Sequence, residues 1–259
     1  MITLDQILSS YPENLRAFRE SILKEYLQYK ILNSIFDSEY ANKLAFLGGT
    51  ALRIVYGSTR FSEDLDFDNF ALTEDEFIDL SKIIQKDLSL EGLEVEINTV
   101  TRNAYRIKIR IPKLLFDSGL SAMSEHKILI QVDTVPQNFD YDPEKPLLNK
   151  FDIFTQINAV PKDLLLAQKI FASVNRKRIM GRDFFDIVFL YGIGAKPDFA
   201  YLKKNIGVDN ESDLKSYLLE KTASLNFEDF DKDVEHLLFD PMDKRKVLLF
   251  SDFVNDLNV

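Results

Sequence analysis

From Leu93 to Ile111 the chain alternates. The runs "LEVEINTV" and "AYRIKIRI" place apolar residues at every second position, and "TRN" separates them. A period of two belongs to extended backbone, whose successive side chains point to opposite faces. Two such runs with a short polar link form a hairpin, so the fold must contain a sheet. "KILIQVDTV", Lys127–Val135, adds a strand that Pro136 ends, and "LAFL" (Leu44–Leu47) and "LDF" (Leu65–Phe67) read as shorter ones.

The rest reads as helix. Over residues 13–37 the apolar positions Leu15, Phe18, Ile22, Tyr26, Tyr29 and Leu32 recur near every 3.6 residues. Gly48-Gly49 breaks "LAFL", Thr50 is placed to cap a short helix, and Gly57 to stop it. Thr73 and Glu76 form a capping box ahead of an amphipathic helix. From Pro161 onward the pattern stays helical. The expected fold is α+β: a mixed sheet of about five strands flanked by helices over residues 1–155, then a helical domain over 156–259. The loop "PQNFDYDPEKPLLNKFD", rich in Pro and Asp, marks the boundary region.

With 259 residues and 46% apolar content, the chain can bury a core and is not disordered. It has no cysteine, which excludes disulfides and cysteine-ligated zinc and suits a reducing cytoplasm. The first residues lack the layout of a signal peptide, and no run of 18 apolar residues exists, so no membrane span is expected. The net charge of −10 argues against a broad nucleic-acid surface. The charge is uneven, however. Pro161 to Arg182 carries six cations (Lys162, Lys169, Arg176, Lys177, Arg178, Arg182) against one anion, Asp163.

The segment "FSEDLDFD" sets Asp64 and Asp66 two apart on one strand, hence on one face, with Ser62 joining them if the extended backbone starts that early; Leu65 and Phe67 point to the core. Two carboxylates at 4 Å repel by about 1 kcal/mol in water and about 4 kcal/mol at an effective dielectric of 20. A hard divalent cation removes that cost. Asp133, in a strand expected to neighbour the first, supplies a third acid. Such a set suits two-metal catalysis of attack on a phosphate. The Gly48-Gly49 turn into a helix is an expected anion site.

These residues resemble the first motif of the DNA-polymerase-β-like nucleotidyltransferases. More closely, they are similar to the AbiEii/AbiGii toxin family of bacterial abortive-infection and toxin–antitoxin systems. The matching positions are Gly48, Gly49, Thr50, Arg60, Ser62, Asp64, Asp66 and Phe67. A second family motif falls on Lys169, Ala172, Arg176, Arg182, Asp183 and Asp186. The likeness runs from about residue 20 to about 192.

The resemblance implies a polymerase-β-like core, a helical C-terminal domain, Mg²⁺ or Mn²⁺, and a nucleoside triphosphate. It implies catalytic roles for Asp64, Asp66, Asp133, Lys169 and Asp183, with the first three holding metal. It implies nucleotide contacts from Gly48, Gly49, Thr50, Arg60, Ser62, Lys169, Arg176 and Arg182. For the toxin members it further implies nucleotide transfer to RNA, with the tRNA acceptor end as one target, and a cognate antitoxin.

Read from spacing alone, Lys169, Ala172 and Arg176 share a helix face, and Lys169 is either a solvated cation or a phosphate contact. Asp183 and Asp186 also fit helix capping and a salt bridge to Arg176 or Arg182. Two rival functions stand beside RNA modification. One is the same chemistry on a small molecule or protein side chain. The other is a nucleotide-binding module without turnover, against which the intact acids argue.

Overall fold

The structure, a computed structural model, describes residues 1–102 and 104–257. Asn103, in the "TRN" link of the sequence, lies outside the described residues. The chain divides into two compact units. One comprises Met1–Val55 and Phe61–Val160; the other comprises Tyr56–Arg60 and Pro161–Val259.

The first unit runs α1 (Leu4–Ser9), α2 (Arg19–Phe36), β1 (Leu44–Leu47), α3 (Gly48–Ile54), β2 (Leu65–Asn69), α4 (Glu74–Leu90), β3 (Glu96–Val100), β4 (Tyr105–Ile111), α5 (Leu114–Asp117), β5 (Ile128–Pro136), β6 (Leu147–Lys150) and β7 (Ile153–Gln156). Five strands form one mixed sheet in the order β1-β2-β5-β4-β3. Only β2 and β5 pair in parallel. A parallel pair needs a crossover, which α4, β3 and β4 supply.

Strand alternation decides the two faces. Leu65 and Phe67 of β2, Ile107 and Ile109 of β4, and Ile130 and Val132 of β5 are all buried. They face α2 and α4, which contribute Tyr26, Leu27, Ile31, Phe77, Leu80 and Ile84 to the same core. Phe36 meets Phe67 at 6.2 Å between ring centres, and Phe77 meets Tyr105 at 5.2 Å. Burying each such side chain contributes about 1.5–3 kcal/mol. α4 starts with the expected capping box: Glu76 N–H donates to the Thr73 hydroxyl, and Thr73 N–H donates to the Glu76 carboxylate at 2.9 Å. Residues of the opposite parity, among them Asp66, Arg106, Lys108, Gln131 and Asp133, make up the other, polar face of the sheet.

Four details differ from the sequence reading. The helix expected over residues 13–37 begins only at Arg19, after a separate 3-10 turn at Glu13–Leu15. Thr50 does not cap α3; the helix begins at Gly48, and Thr50 is its third residue, donating its hydroxyl to the Asp64 carbonyl. Arg176 ends α6 in an extended conformation rather than on its helical face. The Pro- and Asp-rich loop contains β6, which pairs antiparallel with β7 around Phe151. Phe151 packs edge-on against Tyr26 and Tyr29 at 5.2 and 5.3 Å. β6 also carries Lys150 to a buried charge cluster. There Glu25 of α2, 2% exposed, accepts from Tyr11 Oη at 2.7 Å, Arg53 Nε at 2.8 Å and Lys150 Nζ at 2.8 Å.

The second unit is helical: α6 (Lys162–Asn175), α7 (Gly181–Gly192), α8 (Phe199–Ile206), α9 (Glu211–Thr222), α10 (Lys232–Glu235), α11 (Arg245–Leu248) and α12 (Phe250–Asn255). Its core centres on Phe184, which meets Phe250 at 4.7 Å and Phe227 at 5.0 Å. Position 181 must be glycine, because a Cβ would strike the Phe230 carbonyl. Tyr56–Arg60 joins this unit by its backbone, with Phe239 N–H donating to the Thr59 carbonyl at 3.1 Å. Among the described residues no helix is long and apolar enough to cross a membrane.

Candidate functional site

The polar sheet face carries the acids. Asp66 on β2 and Asp133 on β5 are register partners on neighbouring parallel strands. Asp64 precedes β2 by one residue and lies beside Gln131, whose backbone N–H and side-chain amide donate to its carboxylate at 3.2 and 3.3 Å. Burial raises the Asp64 carboxyl above its ordinary value, against the opposing pull of these bonds and of Lys24. Gly48 adopts φ +81°, and a side chain there would collide with the Asp66 carboxylate. The glycine therefore gives Asp66 its space. Asp68, next on the strand face, is 3% exposed and accepts from Gln137 Nε2 at 2.5 Å and Tyr141 Oη at 2.7 Å. A cleft of about 270 Å³ opens beside Asp64, with Lys24, Glu63, Lys127, Leu129 and Gln131 in its lining.

Asp133 holds Arg106 of β4 in a two-point pair, Nε–Oδ1 2.5 Å and Nη2–Oδ2 2.9 Å. Arg106 also feels Asp64 and Asp66. These acids together raise its pKa, the hydrogen bond to Asp133 foremost. Among the described residues no three acids or histidines stand close enough to close around a metal ion. The donor type is nonetheless the one a hard divalent cation takes. All three are carboxylates, two are strand neighbours, and their combined charge already draws a cation, the Arg106 guanidinium. That side chain is 44% exposed, so turning it to solvent uncovers Asp133 at low cost.

The second motif forms a buried ion chain within the helical unit. Arg60 is 1% exposed and gives Nε and Nη2 to Asp186 at 2.8 and 2.7 Å. Asp186, fully buried, also pairs with Lys169 at 2.7 Å. Lys169 reaches Asp183 at 3.0 Å, and Asp183 in turn meets Arg176 at 3.0 Å. Burial opposes ionisation of Asp186, but Arg60 and Lys169 outweigh it and hold its carboxyl below the usual range. The sequence reading assigns Arg60 and Lys169 to the nucleotide; the structure commits both to buried aspartates. The salt bridge expected for Asp183 is present with Arg176. Arg182, one residue into α7, is half-buried. Ser62 offers its carbonyl to Gln28 Nε2 at 2.9 Å.

Sequence reasoning missed Arg106 and Gln131, which engage two of the three acids. Their signal was the alternation itself: a strand facing the acids must present every second residue to the same face.

A family model described as nucleotidyl transferase AbiEii toxin, type IV toxin–antitoxin system, matches residues 30–251. Two solved structures resemble the chain. JHP933 from Helicobacter pylori shares 17% identity over 91% of each chain at a TM-score of 0.54. A second H. pylori crystal structure, described as that of a candidate nucleotidyltransferase, shares 17% over 91% of this chain and 94% of its own, also at 0.54. At that identity the likeness is one of fold. No curated protein matches the chain.

Proposed function

Because the chain belongs to the AbiEii nucleotidyl transferase toxin family, we propose that it transfers nucleotides from a nucleoside triphosphate to RNA, at the acceptor end of tRNA, as the toxin of a cytoplasmic toxin–antitoxin pair. The acceptor hydroxyl attacks the α-phosphorus and forms a new P–O bond. The bond to the bridging oxygen breaks, pyrophosphate leaves, and the hydroxyl proton passes to solvent.

The observation that carries this reading is the register of Asp66 with Asp133 across a parallel strand pair, with Asp64 one step before. These residues would hold Mg²⁺ or Mn²⁺, which when bound neutralises phosphate charge and acidifies the attacking hydroxyl. The chain's own contribution is placement. Gln131 fixes the Asp64 carboxylate, Gly48 leaves room for that of Asp66, and the two strands hold Asp66 and Asp133 side by side. The family resemblance supports nucleotide contacts from Gly49, Thr50, Ser62, Arg176 and Arg182. Within the helical unit, Arg60, Lys169, Asp183 and Asp186 set the shape through their buried pairs.

The test is incubation of purified protein with total tRNA, Mg²⁺ and each labelled triphosphate, beside Asp64→Ala/Asp66→Ala. Labelled RNA is expected from the wild type alone. Equal labelling by the double variant would remove the acids from the chemistry. Labelling of protein or a small molecule but not RNA would reassign the acceptor.

A further inference from the structure

β4 presents three cations on the polar face: Arg106, Lys108 and Arg110, alternating with buried Ile107, Ile109 and Ile111. Their partners on β5 are Asp133, Gln131 and Leu129 in that order. The row therefore starts at the acids and runs away from them. Arg106 is paired, but the side chains of Lys108 and Arg110 have no hydrogen-bond or ion-pair partner among the described residues. Glu96, the register partner of Arg110 on β3, gives its carboxylate to Lys127 at 2.6 and 2.9 Å instead. In a chain of net charge −10, these two half-exposed side chains keep donors free for an anion from outside.

We propose that this face of β4 is a track for the phosphodiester backbone of a single-stranded nucleic acid, the end of the acceptor, laid from Arg110 toward the acids. Strand geometry sets the match. Residues two apart stand about 6.6 Å from each other, so the three cations span about 13 Å in a straight line. That suits successive phosphates of an extended strand, whereas one strand of a duplex curves away. The contacts are to phosphate, so the track reads no sequence. Leu129, 38% exposed beside Arg110, offers apolar surface to a base. The track rests on the RNA reading of the acids, since only an acceptor that must reach them has reason to follow this row.

The experiment measures binding of a labelled single-stranded RNA oligonucleotide by anisotropy at several salt concentrations. The wild type is compared with Lys108→Glu/Arg110→Glu and with Lys108→Gln/Arg110→Gln, each checked for folding by circular dichroism. The wild type should bind more weakly as salt rises. The charge reversal should weaken binding at least tenfold, and the neutral pair should flatten the log–log salt slope by about 1.4, two contacts at roughly 0.7 each. Binding of the free triphosphates should not change, and a blunt duplex of equal length should bind less well than the single strand.

Unchanged oligonucleotide binding by both variants overturns the track. So does equal loss of triphosphate binding, which would give these cations to the nucleotide, or equal binding of the duplex. Displacement of the RNA by a poly-glutamate peptide at the same concentration would reassign the face to an acidic protein segment. If the wild type labels RNA and the folded variants label it equally, the track alone falls. If the wild type neither binds nor labels RNA, the acceptor reading falls with it.

Discussion

Glu25 carries three donors and almost no water. Burial alone would raise its carboxyl, but Arg53 and Lys150 outweigh burial and the net shift is downward from 4.5. A carboxylate depressed by folding stabilises above its unfolded value, and that stability is lost as the pH falls through the folded value. Glu25→Gln leaves two cations facing an amide. It should cost about 3 kcal/mol at neutral pH, the scale of a broken buried pair. Denaturant midpoints of wild type and variant should differ fully at pH 7 and still at pH 5. The gap should close only below about pH 4.5, the reference value from which Glu25 is depressed. A gap independent of pH would mean that charge is not what Glu25 contributes. Gly48 makes a second residue-scale case. Gly48→Ala forces a side chain into left-handed backbone, at about 1–2 kcal/mol, and displaces the Asp66 carboxylate. Both the thermal midpoint and RNA labelling should drop. A variant that loses stability but keeps full labelling would show that the position of Asp66 tolerates the shift.

At the scale of elements, the capping box is the cleanest test of a local signal. Thr73→Ala should cost about 1 kcal/mol, read as a lowered denaturant midpoint, with RNA labelling unchanged. That box, the β3–β4 hairpin and the strand bearing Asp133 were legible because their causes are local: a spacing of three, a period of two. Elements with distant causes were not. β6 hides in a stretch of Pro and Asp, because what makes it a strand is pairing with β7 and the packing of Phe151 on α2. Thr50 looked like a cap because nothing local says that β1 runs straight into a helix at a glycine of positive φ. Within the candidate site, the shared face of Asp64 and Asp66 followed from parity. The partner of Asp133 did not, since Arg106 lies across a strand pair whose register the sequence leaves open. The partner of Arg60 lies 126 residues away, beyond any pattern of spacing.

The whole molecule is two units threaded by one chain, and the thread passes between them more than once. Tyr56–Arg60 leaves the sheet unit, contributes Arg60 to the helical unit, and the chain returns at Phe61. Arg60→Met in the full chain should therefore destabilise the helical unit by about 3–5 kcal/mol, since it strips a fully buried aspartate of its two-point partner. With no tryptophan in the chain, unfolding would be followed by circular dichroism. Residues 161–259 expressed alone should melt at lower temperature than the helical unit of the intact protein. Equal melting would show that Lys169 suffices for Asp186.

The excursion of Tyr56–Arg60 also bears on inheritance. A single recombination breakpoint near residue 160 would look like a clean exchange of one half for another. It would instead leave the old Arg60 facing a foreign helix, and the incoming half without its own arginine. Such a hybrid is viable only if the donor places an acid where Asp186 stands. The two halves of a gene like this one should therefore travel together through its lineage, even where their surfaces diverge.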